Sequence, residues 1–301
     1  HGIKNQLVTI KATGPIKNLK SKLYKLRGIT TGISHTRWAT HGQPTLKNTH
    51  PHLSGDICAV HNGIIENYID LKSYLKKKSF VFKSDTDSEV ICHLINYYFS
   101  KSANMQSAII STANSLEGSY ALAAINAQTP HTIYSACKGS PIILGKDISS
   151  NYISSDMTPI VDHTKNFISM DDNEFSEISS SDIKIFNKNK RVLSKPTKVS
   201  KINKNQASLM GHKHFMHKEI YEQKAIIEDM INRYVGKNKI LPNIFGHSTD
   251  KLLEDIKHIH FVACGTSYHA SLVAKDWIEQ FTTVTCTAEV ASEYKYKKIN
   301  V

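Results

Sequence analysis

The sequence has no apolar run approaching the roughly 20 residues that a membrane-spanning helix needs, and its start carries no secretory leader pattern. A helical membrane protein and an exported one are therefore not expected. Its five cysteines, Cys58, Cys92, Cys137, Cys264 and Cys286, include no Cys-x-x-Cys pair. Their odd number, wide spacing and apolar flanks exclude a zinc ribbon and a secreted disulfide framework. No metal and no cofactor are expected, and a reducing cytoplasm is the expected home. Basic residues outnumber acidic ones, 38 to 26, for a net charge of +12. Yet the lysines are scattered, only Lys76-Lys77-Lys78 forms a tight run, and no basic stripe interleaves with aromatics. A nucleic-acid partner is not expected on that pattern. The run follows an amphipathic segment and reads as a solvated helix C-terminus, while the surplus charge helps to attract anionic substrates.

What is present is ordinary in bulk and concentrated in one place. The 301 residues, 40% hydrophobic and 21% charged, are enough for two domains with separate cores. The stretch from Gly32 to Gly63 holds more polar chemistry than any other: Arg37-Trp38, Thr40-His41-Gly42, His50-Pro51-His52 and, after the apolar Ile57-Cys58-Ala59-Val60, His61-Asn62-Gly63. It reads as strand, loop, strand, turn, and as one wall of a small-molecule site. Arg37 offers a fork for a carboxylate and Trp38 a flat wall; Asn62-Gly63 can present a side-chain amide and an unhindered backbone N–H together, the parts of an oxyanion hole. The same residues equally suit a hairpin turn, satisfied loop histidines and a core tryptophan. Their density favours the site.

In chain order, Gln6–Ile10 reads as a strand, Ile16, Leu19, Leu23 and Leu26 recur at helical spacing, and Ile29–Arg37 reads as the strand entering the dense stretch. Ile64, Tyr68, Leu71 and Leu75 share a helical face, which sets the Asn-Gly turn at a helix N-terminus. A helix over about Thr86–Phe99 buries Val90, Ile91, Leu94, Ile95 and Tyr98, with the preceding serine and aspartates as caps; Asp87 could instead face a pocket and bind a cationic amine. A third helix spans Met105–Leu116. From Gly118 the period becomes two, giving short strands at 120–126, 132–136, 142–145, 152–154, 167–170, 175–178 and 183–186. Helices grouped before strands imply an α+β layered domain, residues 1–203.

A lysine-rich linker covers 204–213, and a second domain starts at 214 with a helix over about His214–Tyr234. Ile259–Ala263 then reads as a strand running into Cys264-Gly265-Thr266-Ser267 and a helix, with a further strand at Val284–Ala288, a parallel βαβ pattern. Strand, small polar turn, helix is a way to hold a phosphate, although Thr266 or Ser267 as an ordinary N-cap fits equally.

His35-Thr36-Arg37-Trp38-Ala39-Thr40-His41-Gly42, His50-Pro51-His52, Val60 to Asn67, Thr86-Asp87-Ser88-Glu89, Lys218 to Gln223 and Cys264 to Tyr268 together resemble the glutamine-fructose-6-phosphate aminotransferase (isomerizing) family, in family order along essentially the whole chain. The resemblance implies an N-terminal-nucleophile, class II glutamine amidotransferase domain followed by the truncated start, at 214–301, of an α/β sugar-isomerase domain. It implies release of ammonia from glutamine, transfer to fructose 6-phosphate and isomerisation to glucosamine 6-phosphate, and a homodimer at full length. Carried over by motif, Arg37 would clamp the α-carboxylate of glutamine and Asp87 its α-ammonium. Asn62 and Gly63 would form the oxyanion hole, with Thr40 and His50 lining the pocket and Trp38 closing the ammonia passage. Thr266 and Ser267 would contact the sugar phosphate.

The family's nucleophile is a cysteine at the mature N-terminus, and none of the five cysteines occupies that place. The expectation is a partial sequence that lacks glutaminase and isomerase activity as it stands. Two other readings remain: a different class II amidotransferase, against which the Cys264-Gly265-Thr266-Ser267 turn argues, and a catalytically dead sugar-phosphate-binding protein.

Overall fold

A computed structural model describes residues 7–25, 28–37, 41–200, 209–235, 255–294 and 296–297. The chain divides into two units, His1–Met210 and Gly211–Val301.

In the first unit a five-residue helix, α1 (Ile16–Lys20), precedes β1 (His52–Ser54) and β2 (Ile57–Ile65). Three helices follow: α2 (Tyr68–Lys77), α3 (Glu89–Ser102) and α4 (Met105–Ser115). The chain then becomes nearly all strand: β3 (Gly118–Asn126), β4 (Ile133–Lys138), β5 (Ile143–Lys146), β6 (Asn151–Ser154), β7 (Asn166–Ser169), β8 (Glu174–Ile178), β9 (Ile183–Phe186), β10 (Val192–Leu193) and β11 (Lys198–Val199). The strands form a seven-stranded sheet ordered β1-β2-β3-β4-β8-β9-β10 and a four-stranded sheet ordered β11-β7-β5-β6.

Alternation along these strands decides the layers. Leu122 and Ala124 of β3, Tyr134 and Ala136 of β4, Phe175 of β8 and Phe186 of β9 bury against Val90, Ile91, Leu94, Ile109 and their neighbours on the helices. Their alternates Ala121 and Ala123, Ile133 and Cys137, Ile178 and Ile185 pack with Leu144, Ile168 and Met170 of the smaller sheet. The large sheet is thus the shared wall of two cores, and each large apolar side chain it buries fully is worth about 1.5–3 kcal/mol. The outer face of the small sheet is covered by Ile160 and Val161 against Phe167.

The α+β layering and the period-two strands are as the sequence implies; several boundaries are not. Residues 7–10 and 29–37 form no ladder among the described residues, because alternation makes a strand only where a neighbour supplies hydrogen bonds. Of the helical spacing expected at 16–26, the described residues 16–25 form α1 and a 3₁₀ turn at Leu23–Lys25, and Leu26 lies outside the described residues. Ile64 and Ile65 belong to β2, and α2 starts at Tyr68, so Asn62-Gly63 is strand interior and not a turn. Lys76 and Lys77 do close the last turn of α2.

In the second unit α5 (Phe215–Tyr234) precedes β12 (His258–Ala263), α6 (Gly265–Phe281), β13 (Thr285–Val290) and the short α7 (Ala291–Tyr294). β12 and β13 pair in parallel from His258↔Thr285 to Ala263↔Val290, with α6 as the crossover. This is the βαβ unit read from the sequence. Residues 204–208 of the expected linker lie outside the described residues.

Candidate active site

A cavity of about 800 Å³ opens in the first unit. Its walls come from Gly32–Arg37, His41 and His50, from Val60–Ile64 of β2, from Thr86–Ser88, and from Ser119 and Ala121–Ala123 of β3, with an apolar side made by Ile142, Ile153 and Ile160. Five of the residues singled out from sequence meet here: Arg37, His50, Asn62, Gly63 and Asp87. Trp38 and Thr40 lie outside the described residues.

Asp87 is 2% exposed, and its carboxylate turns to the sheet instead of capping a helix. Its Oδ2 accepts the Ile65 N–H at 2.9 Å, and Oδ1 lies 3.4 Å from the Ser88 hydroxyl and 3.9 Å from His41 Nδ1. The expected capping by serine and aspartates fails: α3 starts at Glu89, and Ser88 at its N-cap makes no side-chain cap bond. What holds this turn is Glu89, whose carboxylate accepts the N–H of Lys83 at 2.8 Å and of Ser84 at 2.7 Å and the Ser84 hydroxyl at 2.7 Å. Burial pushes the Glu89 carboxyl up, but His93 and these donors outweigh it and hold it at about 2.

Arg37 donates to three backbone carbonyls in its own loop, His41, Gly42 at 2.7 Å and Gln43 at 2.9 Å. Its planar fork ties residues 41–43 into one turn at the cavity edge. Three further imidazoles, His35, His50 and His61, line the cavity, and His52 packs on His50. His35 and His50 have ring centroids 4.2 Å apart, and His50 and His52 5.0 Å. His61 Nδ1 lies 3.0 Å from the Ser88 hydroxyl. Burial lowers all four, aided at His35 and His50 by the Arg37 charge. Burial brings His52 to about 4, and His61 to about 4 with Asp87 opposing. These four are therefore neutral at pH 7, whereas Arg37, which also lines the cavity, keeps its charge.

Asn62 and Gly63 lie in β2 opposite Ala121 and Tyr120. Gly63 has φ +133, and a Cβ there would stand 2.1 Å from the Ser119 carbonyl oxygen. Only glycine allows this close pass of β2 over β3. The irregularity points the pair at the cavity from a paired strand.

Thr266 and Ser267 are exposed on the first turn of α6, whose N-cap is Cys264, so neither is the cap. Among the described residues no group of three or more His, Cys, Asp or Glu could hold a metal, and no helix is long and apolar enough to cross a membrane. No cysteine lines the cavity. Burial raises the thiols of Cys58 and Cys137 to about 12 and holds that of Cys92 well above its ordinary value. Sequence reasoning quoted His35, His61, Ser88 and Glu89 within motifs but gave none of them an individual role. The Thr86-x-x-Glu89 spacing, a capping-box pattern, could have marked the last of these.

Residues 34–161, which include every residue lining the cavity except Gly32 and Ile33, match the model of a glutamine amidotransferase domain. A glutamine amidotransferase domain is the class that this match gives for those residues. Across nearly its whole length the chain is similar to proteins named glutamine–fructose-6-phosphate aminotransferase [isomerizing]. It is 38% identical to that of Buchnera aphidicola subsp. Baizongia pistaciae, covering 99% of this chain and 50% of the relative. It is 39% identical to that of Wigglesworthia glossinidia brevipalpis (98% and 49%) and 38% identical to that of Shewanella oneidensis (89% and 44%). The chain spans about half the length of the curated relatives it matches.

Proposed function

We propose that the first unit binds glutamine in the 800 Å³ cavity and that the chain serves the glutamine-dependent conversion of fructose 6-phosphate to glucosamine 6-phosphate, in the cytoplasm and as a homodimer at full length. The observation that carries this is the convergence, in one cavity of an amidotransferase domain, of a guanidinium, a buried carboxylate and an Asn-Gly pair. An amino acid needs a cation for its carboxylate and an anion for its ammonium, and amide hydrolysis needs donors for the oxyanion that forms at the side-chain carbonyl. Arg37, Asp87 and Asn62-Gly63 take these roles, with His50 a neutral wall. Trp38 and Thr40 are proposed as closing and lining residues on motif alone. Thr266 and Ser267 are proposed to meet the sugar phosphate, residues 1–203 to be the amidotransferase part, and 214–301 the start of a sugar-isomerase domain.

None of the five cysteines is proposed as the nucleophile, because none reaches the cavity and burial holds three thiols protonated. The 301 residues should therefore bind glutamine without hydrolysing it. Calorimetric titration with L-glutamine and D-glutamine tests the reading: saturable binding of the L-isomer is expected. Equal binding of both, or none, overturns the assignment of the cavity. Sustained ammonia release would overturn the statement about the cysteines.

A further inference from the structure

Glu89 does not line the cavity, is 3% exposed, and accepts more hydrogen bonds than any carboxylate near it. We propose that Glu89 is a positioning residue for recognition of the glutamine ammonium: its carboxylate fixes the 83–86 turn that carries Asp87 to the cavity wall. This rests on the glutamine reading of that cavity.

The argument is one of connectivity. Glu89 Oε1 takes the Lys83 N–H, and Oε2 takes both the N–H and the hydroxyl of Ser84. The Ser84 hydroxyl oxygen lies 2.9 Å from the Thr86 hydroxyl and accepts the Thr86 N–H at 3.3 Å; the Thr86 hydroxyl in turn lies 3.2 Å from His52 Nε2. His93 Nε2 stands 3.5 Å from Glu89 on the following turn of α3, and its Nδ1 lies 2.8 Å from the Ser54 hydroxyl on β1. Glu89 therefore joins the loop before α3, the helix itself and the edge of the sheet. Asp87 is held from the other side by the Ile65 N–H. In an ordinary capping box Glu89 would reach back to the Thr86 N–H, but that donor goes to Ser84 instead. The carboxylate is spent on shaping the turn. A buried carboxylate is costly unless several donors meet it, and two backbone N–H groups and a hydroxyl converging on one point suit an anion and no apolar side chain.

The test separates ammonium recognition from general stability. Glu89→Gln keeps the size but turns one acceptor into a donor facing N–H groups. In the full 301-residue chain, the Kd for L-glutamine is measured beside that for glutaramate, which is the same molecule without the α-ammonium. Expected is a rise of about 10- to 100-fold for glutamine, the loss of one well-placed charge-assisted contact, with glutaramate within about twofold. Ser84→Ala and Thr86→Val should shift the same ratio less, and they decide the matter if Glu89→Gln does not fold. An unchanged ratio, or equal weakening of both ligands, overturns the role of Glu89. A parent chain that does not distinguish the two ligands overturns the amino-acid reading beneath it and the proposal with it, a separate result from failure of the variant alone.

Discussion

Adding one methyl group at Gly63 is the sharpest perturbation this structure offers. The new Cβ would lie 2.1 Å from the Ser119 carbonyl oxygen, 2.8 Å from its carbon and 3.0 Å from Tyr120 Cα. All three are backbone, so no side-chain rotation relieves the clash. An ordinary carbon-to-oxygen contact is longer by more than about 1 Å, so β2 and β3 must separate locally or φ must leave +133. Separation loses about two ladder hydrogen bonds, at about 0.5–1.5 kcal/mol each, and residual strain for a non-glycine residue adds about 1–3 kcal/mol. Gly63→Ala should therefore cost about 2–6 kcal/mol, a large part of a domain's stability. Urea unfolding followed by circular dichroism measures it. Gly32→Ala is the control: nothing stands within 4 Å of a Cβ there, so it should stay within about 0.5 kcal/mol. If Gly63→Ala unfolds at the same urea concentration as Gly32→Ala, the account of β2 given above is wrong.

Asp87→Asn should raise the glutamine Kd by about tenfold or more with little change in melting, since one buried charge contact is lost and its shape kept; titration calorimetry reads it, and unchanged affinity refutes the role. Arg37→Lys should weaken glutamine binding and speed proteolysis near residues 41–43, because an ammonium cannot reach three carbonyls at once. Acid should destabilise the first unit continuously from about pH 6.5 downward, because all four buried imidazoles are depressed and His50 is depressed furthest. His52 and His61 are depressed to about 4, so the unfolded chain takes up their protons first and stability falls as pH drops from about 6.5 to about 4. Glu89, held at about 2, adds a loss between about 4.5 and 2. His52→Gln should reduce the slope between about pH 6.5 and 4 in a pH series of urea midpoints, and an unchanged slope counts against it.

Much of this was legible because it is local. The period-two runs at 120–126 and 183–186 read as strands from alternation, and the helix expected over Met105–Leu116 forms at Met105–Ser115. Asn62-Gly63 was misread as a turn because Asn-Gly is the strongest short hairpin signal. What keeps it in a strand is Ser119, far along the chain and invisible to local pattern. Asp87 was placed correctly in the cavity as one of two alternatives, but the caps around it were not. The donors of that turn go to Glu89, and a choice among acceptors is settled only when the helix is packed. Arg37 was read as a free fork, and the structure gives it a loop to hold as well.

The β2–β3 pairing joins residues more than fifty positions apart in sequence, with three helices between them. Such a long closure is slow to form and late to be rewarded. The candidate oxyanion donors sit on this ladder, so the site has no existence before the register is found. A slip by one residue would exchange Val60 for Ala59 between the two cores and turn Asn62 away from the cavity. A molecule trapped in that register could be compact yet blind to its ligand, so under the proposed glutamine reading the fraction able to bind doubles as a gauge of correct assembly.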